Sequence, residues 1–293
     1  MPYQLIKNTL KKQVKRIPII AHWFRVIYYF FILYKTNIRP DGVYFSGTPL
    51  MEKGLFEPEE SKLIKILLKN CNRFINIGAN VGYYVCMAAQ NKKKVTAFEP
   101  LHSNLKIMYK NLLQNNWTKN VEIFPVSLGK NVALNKIYGH GTGASLIGNW
   151  NNAGISNFKI TPTTTLDYSL KQRFEKERLL ILVDIEGFEL EMLLGAKNIL
   201  NVHPKPIWII EISFSDHMPQ NQKYKKAKKV FELMWSSGYR SYFADINLIE
   251  FKKETLAMII KRRRYDSLTS NFVFFEEKLN PEIKKNRLNY IKL

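Results

Sequence analysis

The stretch that decides the fold is FINIGANVGYY, residues 74–84. Phe74 to Ile77 reads as a buried strand and Tyr83 to Gln90 can start a helix, so Gly78-Ala79-Asn80-Val81-Gly82 must turn tightly between them. Glycine lacks a Cβ, and Gly78 and Gly82 are therefore expected to let the backbone approach a ligand. The helix that follows offers free N–H groups at its start. Further on, a second strand (Val95 to Phe98) ends in Glu99-Pro100. An acid at a strand's carboxyl end can accept both hydroxyls of a ribose. This order of elements predicts an α/β fold that holds a nucleoside.

A dinucleotide fingerprint would need glycines at 78, 80 and 83, but positions 80 and 83 are Asn and Tyr. The pattern Gly-x-Asn-x-Gly suits S-adenosylmethionine (SAM), because SAM has no pyrophosphate to cradle. Leu101, Leu105, Met108 and Leu112 recur at helical spacing and predict a helix over 101–115 with one face on a sheet. Val121 to Val126 reads as a third strand, and Ser127 just after it is placed to meet the adenine edge.

LLILVDIEGFELEMLLGA, residues 179–196, reads as a buried strand stopping at Asp184, a turn through Glu186-Gly187, and a buried helix. Glu189 and Glu191 fall in the first turn of that helix, where acids complement the dipole, and are read as structural. IWIIEIS (207–213) is another buried strand, with Glu211 near its end. Asp184, Glu186 and Glu211 thus form a candidate catalytic cluster beside the cofactor cleft. Such a cluster could deprotonate a hydroxyl, orient it, or hold a divalent metal; equally, its members could cap a helix or pair with lysines. A long insertion, 130–170, contains GHGTGASLIG and reads as a lid or acceptor-side loop, in which His140 is a candidate base. In the C-terminal part Tyr224, Ala227, Phe231 and Met234 give a helix face. LAMII (256–260) and NFVFF (271–275) read as an antiparallel strand pair, and the tail from Pro281 as polar and loosely ordered.

The chain has 293 residues, 46% of them apolar, which is ample material for a core and excludes wholesale disorder. Two cysteines, Cys71 and Cys86, exclude a disulfide scaffold and a Cys-rich zinc site. The formal charge is +21, mostly from lysine. Basic patches at residues 1–40, Lys223–Lys229 and Lys261–Arg264 favour an anionic partner: a phospholipid surface, a nucleotide-linked sugar or RNA. Ile17 to Tyr34 is mostly apolar and aromatic, but Arg25 lies mid-segment and removes ~2.5–3.5 kcal/mol of a roughly −4 kcal/mol insertion energy. Docking on the domain, lying on a membrane surface and spanning it all remain open for this segment.

GANVGYY, AFEP, TTTLD (163–167) and VDIEGFELEMLLGA, in that order, resemble the FkbM family of SAM-dependent methyltransferases, from about Gly54 to Glu276. The resemblance implies a Rossmann-like class I methyltransferase. Its mostly parallel seven-stranded sheet would carry an antiparallel edge pair and helices on both faces. By resemblance, Gly78, Asn80 and Gly82 line the methionine side of SAM, Glu99 binds the ribose, and Asp184 and Glu186 face the reacting end. The family usually has Asp where Asn76 stands, so this chain lacks a charge that would offset the α-amino group of SAM. Residues 1–50 are expected to form a basic, apolar helical extension, 51–280 the methyltransferase domain, and 281–293 a polar tail. The expected activity is O-methylation of a sugar, glycan or glycolipid hydroxyl. The expected location is the cytoplasm, with residues 1–40 able to hold the chain peripherally against the inner face of a membrane. The rivals are an RNA methyltransferase, suggested by the charge, and a non-catalytic membrane-associated binding module with a Rossmann-like core. Against RNA, the sequence lacks an Asn/Asp-Pro-Pro-aromatic motif, and neither cysteine is placed like a nucleophile.

Overall fold

The computed structural model describes residues 37–139, 141–150, 155–156, 158–214, 223–265, 267 and 269–291. The reading of Ile17–Tyr34, and with it the membrane attachment of residues 1–40, lies almost wholly outside these residues. Among the described residues no helix is long and apolar enough to cross a membrane.

Two short strands, β1 (Asn37–Ile38) and β2 (Tyr44–Phe45), lead through helices α1 (Pro49–Glu52) and α2 (Pro58–Leu68) to the central strand β3 (Arg73–Ile77). Then follow α3 (Tyr83–Gln90), β4 (Lys94–Phe98), α4 (His102–Gln114) and β5 (Val121–Phe124). Strands β6 (Ser127–Leu128), β7 (Ala133–Tyr138) and β8 (Phe158–Thr164) make a separate small sheet. The chain returns through α5 (Leu166–Leu170) to β9 (Leu179–Val183), α6 (Glu189–Leu194), α7 (Lys197–Asn201) and β10 (Ile207–Glu211). It closes with α8 (Lys223–Ser236), β11 (Arg240–Phe243), α9 (Lys253–Arg262), β12 (Asn271–Phe275) and α10 (Asn280–Ile291).

The large sheet has the order β11-β12-β10-β9-β3-β4-β5, with β12 antiparallel to both its neighbours and the other pairings parallel. From β3 the chain runs outward to β5 on one side, and from β9 to β10 on the other. The direction of crossover therefore reverses between β3 and β9, the place where open α/β sheets bind ligands. Ile77 pairs with both Phe98 and Val183, so three strands end level. Strand alternation sends Phe74 to the face covered by α2, α3 and α4, and Ile75 and Ile77 to the face covered by α6, α7 and α8. Both faces are buried, which is why these strands read as continuous apolar runs.

Several expectations are corrected. LAMII is helix α9, not a strand: Leu256 is buried while Met258 is exposed, a one-sided pattern that five apolar letters do not reveal. The antiparallel partner of NFVFF is instead Arg240–Phe243. The third strand stops at Phe124, because Pro125 has no N–H for the ladder, and Ser127 opens β6 in the other sheet. Within the insertion β7 and β8 pair antiparallel, and GHGTGASLIG lies in the connection between them. Residues 37–45 form a two-stranded hairpin rather than a helix. The supposed loose tail is helix α10, whose Ile283 is buried and whose Glu282 accepts a hydrogen bond from Asn70.

Candidate functional site

Level strand ends put Gly78, Glu99 and Asp184 side by side at one edge of the sheet, and the backbone ladder continues into the turns. Gly78 and Ala79 donate to the Phe98 carbonyl at 3.0 and 2.9 Å, and Asp184 donates to the Ile77 carbonyl at 3.0 Å. Gly78 and Gly82 have φ of 84° and 87°, the left-handed region. The surrounding protein already demands glycine at both positions. A Cβ on Gly78 would lie 1.9 Å from the carbonyl oxygen of Asp184, and one on Gly82 would lie 2.8 Å from Met108 Cγ. The two glycines let the turn nest on β9 and α4, a packing demand that the local sequence pattern does not show.

Glu99, 4% exposed, ties this turn down. Its Oε2 accepts from the Asn80 N–H at 2.8 Å, and its Oε1 accepts from the Leu101 N–H at 2.8 Å and from Asn104 Nδ2 at 3.1 Å. A carboxylate oxygen has about two acceptor sites, so Oε2 keeps one open. Burial outweighs these three bonds and pushes the Glu99 carboxyl up to about 7. Two further acceptors beside it, Asn80 Oδ1 and Asn104 Oδ1, are buried with no hydrogen-bond partner among the described residues. Each such atom costs roughly 1–3 kcal/mol if nothing bonds to it, and together they mark a place awaiting donors.

Two cavities meet here. The first is a slot of about 60 Å³ lined by Gly78, Asn80, Glu99, Asn104, Ser127 and Asp184, with apolar walls from Phe98, Val126, Leu128 and Leu146. A cavity that holds a benzene ring is about 150 Å³, so an aromatic base needs this slot to widen. The second, about 270 Å³, lies on the other side of the turn and is lined by Asn76, Gly78, Asn80, Asp184, Glu186, Glu211 and also Glu57. Of the residues singled out in the sequence, the structure gathers all but two into these walls. Gly82 lies behind the turn against Met108, and His140 lies outside the described residues. Ser127 reaches the first slot, but its hydroxyl is already bonded to Thr163 Oγ1 at 2.7 Å and to the Pro162 carbonyl at 3.2 Å.

The carboxylates crowd one another. Asp184 is open to the cleft, yet burial, contact with the neighbouring Glu211 carboxyl and the charges of Glu186 and Glu57 push its carboxyl well above the usual range. Glu186 rises to about 7, first through burial and then through Glu211, against the opposing bond from Trp150. That bond, Trp150 Nε1 to Glu186 Oε2 at 2.7 Å, and Ser145 Oγ to the Glu186 carbonyl at 2.6 Å, clamp the turn after β9 to the insertion. Trp150 fills the space a Cβ on Gly187 would need. Glu211 accepts from Ser270 Oγ at 3.1 Å. Among the described residues no group of three or more His, Cys, Asp or Glu side chains is arranged to hold a metal ion. Both cysteines are buried, and burial raises Cys71 to about 11 and Cys86 to about 12, so neither is a thiolate at neutral pH.

The sequence reading missed Glu57, Asn104 and Trp150. Glu57 precedes Pro58, which disfavours helix at residue 57 and is a local sign of an unusual backbone, here φ 41°. Asn104 looked like any polar residue on a helix. Trp150 comes from the insertion, and nothing in its spacing points to Glu186.

Glu189 is, as read, structural: it is 4% exposed and its Oε1 accepts from the Gly187 N–H at 2.9 Å. Glu191 pairs with Lys226 at 2.9 Å. Burial pushes Glu189 up to about 8 from an ordinary 4.5, with Glu211 and Glu186 adding to it. The folded chain then holds a proton that the unfolded chain releases. The stability this group contributes is full below the unfolded value and is lost as pH rises through the folded one. Glu189→Gln keeps an acceptor for Gly187 and removes the titration. We expect it to raise stability at about pH 8 by on the order of 3 kcal/mol relative to its effect at about pH 4.5. Denaturant melts at the two pH values measure this, and equal effects at both would refute the assignment.

A sequence model of the methyltransferase FkbM domain matches residues 76–241, more than half of the chain. No curated protein matches the sequence. Among solved structures, the chain is similar to the methyltransferase FkbM from Methylobacillus flagellatus KT, at 14% identity over 70% of this chain, with a TM-score of 0.42. It spans 43% of that protein's length. It is also similar to an O-methyltransferase from Bacillus cereus in complex with SAH (13% identity, 73% of this chain and 78% of that one, TM-score 0.41). A third is the O-methyltransferase TomG from Streptomyces achromogenes, involved in tomaymycin synthesis and solved with SAM (9%, 74% and 78%, TM-score 0.42).

Proposed function

We propose that this chain, which belongs to the FkbM methyltransferase family, binds SAM and transfers its methyl group to a hydroxyl of a sugar, glycan or glycolipid. The observation that carries the reading is the pair of unpartnered acceptors, Asn80 Oδ1 and Asn104 Oδ1, set around Glu99 at the switch point with Asp184 open to the same cleft. These residues fit the cofactor. Ribose hydroxyls are donors for Glu99 Oε2 and the two amides, and the apolar walls at Phe98, Val126 and Leu128 suit a base.

When bound, SAM supplies a methyl group already activated on a sulfonium. What remains for the chain is to orient the acceptor and take its proton. Asp184 lines both cavities, is open to the cleft, and has a raised affinity for a proton that makes it a competent base. Glu186 lines both cavities as well and is fixed by Trp150, so it can orient an acceptor hydroxyl, while Glu211 completes the acidic wall. A wall of carboxylates accepts hydrogen bonds from several hydroxyls at once, which suits a polyol. The residues lining both cavities offer a phosphodiester no cation, so the site disfavours RNA despite the net charge of +21.

The test offers SAM with a labelled methyl to the full chain together with glycan and glycolipid acceptors, and locates the label by mass spectrometry. Label on a hydroxyl oxygen supports the proposal. Binding of S-adenosylhomocysteine without transfer to any hydroxyl acceptor would overturn O-methylation, and absence of binding would overturn the cofactor assignment as well.

A further inference from the structure

SAM carries an α-ammonium group, and position 76 at the end of the central strand faces the second cavity with only a neutral amide. Asn76 is 2% exposed, and its side chain has no hydrogen-bond partner among the described residues. We infer that the missing charge is supplied from another element: Glu57, with Asn76 as a second acceptor, holds the α-ammonium of SAM. This inference rests on the cofactor reading above and specifies it.

The path of the ligand carries the first step. The two cavities share Gly78, Asn80, Asp184 and Glu186. With the nucleoside in the apolar slot around Glu99, the amino-acid end must continue past the turn into the second cavity. The second step is which carboxylate there is available. Asp184 and Glu186 line both cavities and serve the acceptor, and Glu211 Oε1 accepts from Ser270 Oγ, whereas Glu57 lines only the second cavity. Glu57 has Oε2 bonded to the Tyr84 hydroxyl at 2.6 Å, while Oε1 has no hydrogen-bond partner among the described residues. Asn76 shares the sheet face of Phe74, under α2 and α3, and Glu57 is the residue that precedes α2. Its left-handed backbone is tied to α2 where the Ser61 N–H bonds to its carbonyl at 2.8 Å. Burial, with Glu60 and Glu211 nearby, pushes the Glu57 carboxyl up to about 7 despite the bond from Tyr84. A carboxylate in that state gains from a bound cation.

Calorimetry on the full chain tests this with two probes. S-adenosylhomocysteine carries the ammonium, and 5′-methylthioadenosine lacks the whole amino-acid end. Glu57→Gln keeps an oxygen for the Tyr84 hydroxyl and removes the charge. The expected result is at least a tenfold loss of affinity for S-adenosylhomocysteine, with affinity for methylthioadenosine changed less than twofold. Asn76→Asp introduced into Glu57→Gln is expected to recover most of the loss by returning a charge to the same group. Unchanged affinity for S-adenosylhomocysteine in Glu57→Gln overturns the inference. So does an equal loss of both probes, which would mean that Glu57 acts through the fold, and so does a double variant as weak as the single one. If the wild-type chain binds neither probe, the cofactor reading falls and takes this inference with it.

Discussion

Gly78→Ala is expected to lower the unfolding free energy by roughly 3–5 kcal/mol, combining the strain of a left-handed residue with overpacking. The Cβ would sit 1.9 Å from the Asp184 carbonyl oxygen, and that oxygen is backbone at the end of β9. It cannot swing away. The neighbouring Asp184 N–H is bonded to the Ile77 carbonyl, so relief requires parting β3 from β9 at the point where the cleft opens. Gly82→Ala is the internal control. It has nearly the same φ, but its Cβ meets a side chain, Met108, that can shift within the core, where Gly78 would meet backbone. It should cost about 1–2 kcal/mol. Since domains are stable by only about 5–15 kcal/mol, Gly78→Ala threatens the fold and Gly82→Ala does not. Denaturant melts of the two variants measure the difference; equal losses would mean that the contact with β9 does not govern this turn.

That contrast also marks how far the sequence could be read. FINIGANVGYY, AFEP and LLILVDIEG are local patterns: a buried run, a turn with fixed backbone demands, and an acid at a strand end. Each is written within a few residues, and each is found where it was expected. From local pattern, however, Gly78 and Gly82 look alike, and only the neighbour across the sheet distinguishes them. The same holds for Glu99. Its position was legible, but not that its carboxylate would be bound by its own loop at Asn80 and Leu101. LAMII misled because five apolar residues satisfy both periods, and the exposed Met258 that settles the matter is a tertiary fact. Glu57 and Trp150 come to the cleft from 127 and 34 residues before Asp184 in the chain, a separation across which no spacing rule acts.

Asp184→Asn is expected to lower turnover by about 10²–10⁴-fold, the usual worth of a positioned base, while the dissociation constant for S-adenosylhomocysteine changes little. Asp184 lines both cavities, and its side chain is exposed to the cleft. Its raised proton affinity comes from burial and from three neighbouring carboxylates, so its charge weakens the unliganded fold. Replacing it with a neutral isostere relieves that repulsion, and the variant should melt no lower than the wild type. A structural residue would behave in the opposite way, losing stability and activity together. The pH profile adds a third readout. A base whose carboxyl titrates above the ordinary range gives turnover that rises with pH through that range, because the charged form is the one that accepts the proton. The residual activity of Asp184→Asn should lose that rise. Wild-type turnover in the variant, or a variant that melts well below the wild type, would return Asp184 to a structural role and move the search for the base to Glu186.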